Sequence, residues 1–295
     1  MGLSSFTEHY LAVQLTLSEG SFSSGQNSTI ITDLAMSVDV EKLGPPDFAK
    51  ASVEIYGMDI ESLEHLTTLA FNPLKVRRNY INIFAGDSPN ELSQIFAGSI
   101  TESSASLSGP EMILKLSAEV GFWGRVDAKG PATLNSPQSV SSFVEEQAGL
   151  AELTFSNEGV DAELMNGTFS GSPIEKARKA AEQAGCDLVI DDNEMILLPK
   201  NGNRKGDGPL INSESGLLDS PSIGGDGISF TCIYNPNLRF AGLFKLESII
   251  PKASGIWRVV KLNHKLQCNM PGDAQWVSEV TGYYPHLSGE IGKFI

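Results

Sequence analysis

Cysteines, basic residues and long apolar runs are all scarce in this sequence of 295 residues. The three cysteines, Cys186, Cys232 and Cys268, lie far apart without a CxxC pair, which favours reduced, buried thiols over a zinc or redox site. No apolar run reaches the roughly 18 residues of a spanning helix, so we expect no membrane anchor. The 21 basic residues are outnumbered by 36 acidic ones, which argues against a protein that holds duplex DNA by its phosphates.

Motifs that carry catalytic or metal chemistry are also missing. The sequence has no GxSxG elbow and no HExxH pair, and its four histidines are isolated. His264 lies within a strand pattern, which favours a structural histidine. The acidic run Asp191-Asp-Asn-Glu194 misses the EF-hand spacing, so a polar β-turn explains it better than calcium. No carboxylate pair stands out for glycoside hydrolysis, and we expect no enzyme and no catalytic, cofactor-binding or metal-ligating residue.

Strand patterns dominate the first third of the chain. The 29 glycines and 15 prolines suit a turn-rich β protein better than a disordered one. Apolar residues alternate with polar ones, as they do along half-buried strands. One helix is predicted after Asp59, a residue suited to the N-cap, because apolar residues follow at helical spacing. The alternating segments are Tyr10–Leu17, Ile30–Val40, Ala51–Gly57, Arg78–Ala85, Ser93–Ile100 and Met112–Val120.

The middle third changes to helical periodicity. Ser139–Gln147 predicts a short helix, and Ser172-Pro-Ile-Glu175 predicts the start of another, with a capping serine, a proline at the first position and a capping-box glutamate. Gly185 is placed to end that helix. Leu153–Phe155 and Val160–Phe169 are predicted strands between the two helices, and the strands Cys186–Ile190 and Met195–Leu198 follow the second helix. The order of helix, two strands, helix and two strands predicts a small α+β module.

The last third returns to strands after a polar break. The stretch Asn201–Pro209 has no apolar residue before its final proline, and it predicts a solvated linker. Ile228–Tyr234 and Phe240–Ile250 are predicted strands. Ile256–Cys268 is predicted to be a long one, and its alternation assigns one common face to Ile256, Val260, Leu262, Leu266 and Cys268.

These patterns predict an α+β fold that is predominantly β, with two barrel-like antiparallel β domains and an inserted αββαββ module. The predicted bounds are 1–130 for the N-terminal domain, 131–200 for the insert, 201–208 for the linker and 209–295 for the C-terminal domain. The charge is uneven across these blocks. Residues 1–130 carry 16 acids and 8 bases, residues 131–200 carry 12 and 4, and residues 201–295 carry 8 and 9.

Short motifs in a fixed order carry a family resemblance. Asn79–Gly86 is followed by Ile95-Phe-Ala-Gly-Ser-Ile100. The later motifs are, in order, Gly216–Pro221, Gly227–Phe230, Asn235-Pro-Asn-Leu238, Gly242, Ser254–Val259, His264 and Pro271–Trp276. In this order the chain resembles the late-control-protein-like tail hub proteins of tailed phages, over most of its length. Asp219, where the family more often has glycine, and the longer turn before Trp276 depart from that pattern. The middle segment resembles the ring-building modules of secretins.

The resemblance implies a structural virion protein of the baseplate or tail tip, assembled in the host bacterial cytoplasm. Hub proteins of this kind form a homotrimer. Two barrel-like domains per subunit give the trimer six similar domains, which match the hexameric tail tube on one side, while its threefold symmetry matches a trimeric spike or tip on the other. The implied partners are the tail tube protein, the spike or tip protein, the tape measure protein and other baseplate proteins. DNA is expected to pass through the lumen without specific binding. The family supplies no catalytic residue and no cofactor.

Seven residues are candidates for structural or interface roles. Trp257 and Trp276 lie in strand patterns and are expected to anchor the core or a subunit contact. The others belong to the family-like motifs, and they are Phe96, Gly98, Asn235, Pro236 and Gly242.

Two other functions stay open at this point. One is a hub that also carries a peptidoglycan hydrolase, which zymography on host peptidoglycan would reveal. The other is a carbohydrate-binding β protein, which glycan-array binding by an isolated monomer would favour.

Overall fold

The computed structural model describes residues 8–22, 24–45, 47–58, 78–108, 111–165, 167–225, 227–272, 274–285 and 294. The strands before the first described helix are β1 (Tyr10–Thr16), β2 (Ser28–Ile31), β3 (Ala35–Leu43), β4 (Lys50–Tyr56), β5 (Tyr80–Gly86), β6 (Ser93–Ser108) and β7 (Glu111–Glu119). The central elements are α1 (Phe122–Val126), β8 (Lys129–Leu134), β9 (Gln138–Ser139), α2 (Val140–Leu150), β10 (Thr154–Asn157), β11 (Glu163–Leu164), β12 (Gly167–Gly171), α3 (Pro173–Gln183), β13 (Cys186–Asp191) and β14 (Glu194–Pro199). The last strands are β15 (Leu210–Ile211), β16 (Ser222–Gly224), β17 (Gly227–Ile233), β18 (Leu243–Leu246), β19 (Gly255–Cys268) and β20 (Trp276–Tyr283).

The chain divides into two compact units. The first comprises Met1–Val40, Lys50–Glu119 and His264–Val277, and the second comprises Glu41–Ala49, Val120–Asn263 and Ser278–Ile295. Strands β3, β19 and β20 therefore contribute residues to both units.

The first unit is an antiparallel sheet with the strand order β19-β3-β4-β7-β6-β5-β1-β2. Its strands form because apolar side chains alternate with polar ones, so that each strand buries one face. In β3, for example, Met36, Val38 and Val40 are buried while Asp39 is exposed. Removal of these side chains from water is the main term that stabilises the sheet.

The second unit combines strands with two longer helices. Its larger sheet has the order β16-β17-β20-β19, with β18 beside β19 and the short β15 parallel to β18. The core of this sheet consists of Ile211, Ile228, Phe230, Cys232, Leu238, Phe244, Leu246, Ala253, Trp257, Val259, Leu262 and Val280.

Helix α3 begins as its sequence predicts. The Ser172 hydroxyl accepts a hydrogen bond from the Glu175 backbone N–H, the Glu175 carboxylate accepts one from the Ser172 N–H, and Pro173 occupies the first helical position. Gly185 follows the helix with a φ of 69°, the left-handed conformation that glycine adopts without strain.

The segment around the helices pairs differently from a simple αββαββ order. Strand β10 lies parallel to β14, which pairs antiparallel with β13. Strands β11 and β12 do not join this sheet and pair instead with β9 and β8. A turn separates β10 from β11, because the Asn157 carboxamide oxygen accepts hydrogen bonds from the N–H groups of Gly159 and Val160.

A mostly β fold with large antiparallel sheets is confirmed, but the described strands close no barrel. The strand orders above are open paths, and the four-residue β2 pairs only with β1 within them. The predicted helix after Asp59 lies at residues 59–77, outside the described residues. Among those that are described, no helix combines the length and apolar character needed to cross a membrane.

The predicted common face of Ile256–Cys268 is wrong in its first half. Trp257 and Val259 are buried, whereas Ile256 and Val260 are half-buried. From Leu262 onward the even-numbered residues are buried, including His264 at 2% exposure. The alternation therefore shifts by one residue at Val260–Lys261, as it does where a strand accommodates an extra residue.

The strand predicted over Phe240–Ile250 is shorter in the structure. Only Leu243–Leu246 forms strand β18. Ala241, just before it, has a φ of 59°, and the Gly242 N–H donates to the Arg239 carbonyl. The chain therefore turns before the strand starts.

Candidate interaction site

Three of the candidate residues lie in the first unit, where they pack the sheet. Phe96 in β6 is fully buried. At Gly98, a Cβ would lie 2.8 Å from the Glu119 carbonyl oxygen and 2.8 Å from the Phe96 ring. Trp276 is 5% exposed, and its ring stacks on that of His9 at a centroid distance of 4.4 Å. These contacts give each residue a packing role, and an interface role for any of them stays a prediction.

We expect Gly98→Ala to lower the free energy of unfolding by about 1–3 kcal/mol, because the new methyl group meets a backbone oxygen that cannot yield easily. Gly130→Ala is the matched control, since Gly130 is an exposed strand glycine with no atom within 4 Å of the added Cβ. Urea denaturation of both variants measures the difference. Equal stabilities would contradict the close packing of β6 on β7.

The other four candidates lie in the second unit. Trp257 is 3% exposed, and its indole N–H donates to the Ala253 carbonyl at 2.9 Å. Asn235 accepts a hydrogen bond from the Asn237 N–H through its side chain, and the Leu238 N–H donates to its carbonyl. Pro236 is exposed in the same turn. Gly242 accepts from the Val259 N–H at 2.9 Å, so these motif residues lead the chain from β17 into β18.

A cluster of five charged residues in the second unit was not predicted from the sequence. We call it the charged cluster, and it consists of Lys42, Asp191, Asp192, Glu194 and Arg204. The Lys42 ammonium lies 2.7 Å from Asp191 and 3.1 Å from Asp192. The Arg204 guanidinium lies 2.8 Å from the other Asp191 oxygen and 2.7 Å from Glu194.

The members of the charged cluster come from three places in the fold: β3, the β13–β14 hairpin and the segment after β14. Lys42 continues the buried register of β3 after Met36, Val38 and Val40. A lysine at such a position requires a carboxylate partner, and this is the signal in the sequence that points to the cluster. The carboxylates come from the turn between β13 and β14, where Asp192 has a φ of 54°. The polar β-turn predicted at Asp191–Glu194 is thus present.

Part of the predicted linker is buried, and Arg204 is one of the residues that lie away from solvent. Its side chain is 14% exposed, and its backbone N–H donates to the Ala241 carbonyl at 2.9 Å. Gly202, Gly208 and Pro209 are buried as well. The physical reason is the pairing of Arg204 with two carboxylates, which composition alone does not reveal.

The electrostatics of the charged cluster favour the ionised states of Asp191 and Lys42. Burial alone would raise the pKa of the Asp191 carboxyl, but the Lys42 ammonium and the Arg204 guanidinium outweigh it and hold that pKa below its usual range. Burial also disfavours the Lys42 ammonium, yet Asp191 and Asp192 raise its pKa above the usual value. The arrangement is a set of buried ion pairs that, within the second unit, fixes the Lys42 end of β3 against the β13–β14 turn.

The cluster does not resemble a catalytic or metal centre. Both Asp191 oxygens already accept charged hydrogen bonds, so neither is available as a base. Across the part of the chain that the structure describes, no group of three or more His, Cys, Asp and Glu side chains is placed to hold a metal ion. The three cysteines are buried and unpaired with one another, and burial raises the pKa of the Cys232 thiol to about 12.

The fold is similar to those of solved tail proteins. The 43 kDa tail protein of prophage MuSo2 from Shewanella oneidensis aligns with a TM-score of 0.62 and 9% identity, over 92% of this chain and 96% of that chain. A tail protein from Neisseria meningitidis MC58 aligns with a TM-score of 0.62 and 8% identity, over the same shares. An E. coli component of the type VI secretion system, which is structurally similar to the T4 tail proteins gp27 and gp5, aligns with a TM-score of 0.54 and 10% identity, over 92% and 76%. The fold is therefore that of phage tail proteins.

The family follows from the sequence. A family model described as Baseplate hub gp41 matches residues 10–270, which is most of the chain. The chain therefore belongs to the baseplate hub gp41 family of phage tail proteins, and it is a structural component of the virion tail. The resemblance to tail hub proteins is confirmed. No curated protein matches the chain by sequence.

Proposed function

We propose that the protein is a homotrimeric hub that joins the hexameric tail tube to the trimeric spike or tip complex. The observation that carries this proposal is the match of the hub family to residues 10–270. Two β-rich domains per subunit, at residues 1–130 and 209–295, would suit this role, because three copies of a chain with two such domains would present six surfaces to a sixfold tube. The tail tube protein, the spike or tip protein, the tape measure protein and other baseplate proteins are the proposed partners.

We also propose that the trimer surrounds a channel through which DNA leaves the virion. Residues 1–200 carry 28 acidic and 12 basic side chains. Acidic walls would repel the phosphate backbone and let it slide rather than bind. A tail reconstruction in which these acids face outward, around a neutral or basic lumen, would exclude this part of the proposal.

The remaining parts of the proposal concern organisation and activity. We assign residues 1–130 and 209–295 to the two hub domains, 131–200 to an inserted module and 201–208 to its connection. The protein is assembled in the host cytoplasm and has no enzymatic activity of its own. The charged cluster, whose carboxylates are all engaged, is consistent with a structural role.

The mass of the purified protein tests the trimer. One chain has a mass of 31.6 kDa, so a trimer weighs three times as much, about 95 kDa. We expect native mass spectrometry to give this value, and to give a larger complex after addition of the tube and spike proteins of the same phage. A monomer at every concentration, alone and with those proteins, would contradict the proposal.

A further inference from the structure

A cavity of about 340 Å³ in the second unit carries a charge imbalance. Three cationic side chains line it, and these are Arg178, Lys200 and Arg258. Its two carboxylates are Glu182 and Asp187, and apolar parts of Phe240 and Val260 complete the wall. Three positive charges therefore face two negative ones.

Two of the cations, Lys200 and Arg178, each have a carboxylate neighbour in the cavity. The Lys200 ammonium lies 2.8 Å from one Asp187 oxygen, and the other Asp187 oxygen accepts the Asn201 N–H at 2.8 Å. Arg178 lies 3.9 Å from Glu182, one helical turn away. Both Asp187 oxygens thus accept hydrogen bonds, whereas Glu182, 65% exposed, forms only a loose surface pair with Arg178.

Arg258 is the third cationic side chain that lines the cavity. It is half-buried on β19, and its Nε is shielded from solvent without a hydrogen-bond acceptor among the described residues. Burial lowers the pKa of its guanidinium, and the nearby Asp187 charge opposes this only in part. A buried N–H without an acceptor, such as the Nε–H of Arg258, destabilises the chain that contains it.

The chemistry of this group selects a carboxylate as its ligand. A guanidinium has a planar fork of donors that matches the two oxygens of a carboxylate. A single negative charge also balances the excess in the cavity. A phosphate dianion fits less well, because Glu182 and Asp187 already supply negative charge to the same walls.

We propose that the Arg258 cavity binds an acidic side chain from a second copy of this chain in the trimer. This inference rests on the trimeric hub proposed above. Charge complementarity identifies the occupant: residues 1–200 carry 28 acids against 12 bases, whereas residues 201–295, which contain Arg258, carry 8 against 9. An acidic side chain of one copy would thus meet an arginine without a hydrogen-bond acceptor on the next, in a head-to-tail contact that closes a ring.

Sedimentation of an Arg258→Gln variant tests the affinity. We expect its trimer dissociation constant to rise by at least about 30-fold, since loss of one partner of a buried charge pair weakens binding strongly. The melting temperature of the isolated monomer should stay the same or rise, because the variant removes a charge that has no partner there.

The control Arg239→Gln removes one exposed positive charge from the same unit, and its trimer should dissociate as the wild type does. If the wild type forms a trimer and Arg258→Gln leaves the trimer dissociation constant unchanged, this inference alone is overturned. If the wild-type protein never forms a trimer, the proposed function is overturned as well.

Chemical cross-linking identifies the occupant. In an Arg258→Lys variant, a carbodiimide joins the introduced amine to a touching carboxylate as an amide, and the reagent leaves as a urea. Trimers assembled from heavy-nitrogen-labelled and unlabelled chains give mixed cross-linked peptides when the carboxylate comes from another copy. We expect such mixed peptides. Links only to Asp187 or Glu182 of the same chain, or only to another tail protein, would overturn the proposal.

Discussion

Replacing Asp191 by asparagine should lower the free energy of unfolding by about 3–5 kcal/mol, the range found when one partner of a buried ion pair is removed. The loss is large because Lys42, 7% exposed at its side chain, loses a carboxylate 2.7 Å away, and Arg204 loses one of its two partners. Asp192 and Glu194 remain, but neither can reproduce the bridge between the two cations. Urea denaturation of the purified protein measures the effect.

A surface pair provides the control for Asp191→Asn. Lys115 and Glu54 lie 2.6 Å apart on neighbouring strands, and the lysine is 50% exposed. Glu54→Gln should therefore cost only about 0–1 kcal/mol. If the two variants lost the same stability, the charged cluster would not behave as a buried network.

The same network sets a pH dependence. The folded pKa of Asp191 lies below the unfolded value of about 3.9, so its contribution is complete above that pH and is lost as the pH falls through the folded pKa. The folded pKa of Lys42 lies above the unfolded value of about 10.4, so its contribution is complete below that pH and is lost as the pH rises through the folded pKa. Melting temperatures between neutral and acidic pH should fall less steeply for Asp191→Asn than for the wild type.

Trp257→Ala should cost about 3–5 kcal/mol, the range for truncating a buried aromatic residue. The indole belongs to the core of the second unit, pairs in register with Phe244 on β18 and lies 4.8 Å from the Tyr284 ring. The variant leaves a cavity in this core, because Ala253 and Phe244 are held by backbone pairing and cannot close it fully. Thermal and urea unfolding measure the loss.

Trp257→Phe is the matched variant. It retains most of the apolar volume but removes the hydrogen bond to Ala253, so we expect a loss of about 1–2 kcal/mol. A melting temperature unchanged in Trp257→Ala, together with intact oligomerisation, would refute an anchoring role for this residue in both the core and the subunit contact.

Local signals were sufficient to predict parts of this fold. Helix α3 is determined within a few residues, because Ser172 and Glu175 cap it reciprocally and Gly185 ends it. The strands of the first unit follow from alternation. The face of β19 was mispredicted, because a shift of register at Val260–Lys261 cannot be read from residue types on either side.

The charged cluster and the Arg258 cavity depend on contacts between residues far apart in the chain, which the amino-acid sequence alone does not reveal. Lys42 and Asp191 are 149 residues apart in the chain. Arg204 lies in a stretch of polar composition, and its pairing with Asp191 and Glu194 depends on the folded structure. The apolar alternation of β3 into Lys42 is a signal that a carboxylate partner exists, although it was not used in the prediction. Only the three-dimensional arrangement identifies which carboxylate it is.

The position of β19 beside β3 in the first unit has a consequence for synthesis on the ribosome. Most of that unit is encoded before residue 120, but its strand from His264 to Cys268 is among the last to emerge. Gln267 and Asn269 bond to Ser37 and Leu34 only after that. Until then one side of β3 presents unpaired backbone groups, which invite pairing with other nascent chains. A premature stop before residue 264 should therefore yield an aggregating fragment rather than a smaller folded hub.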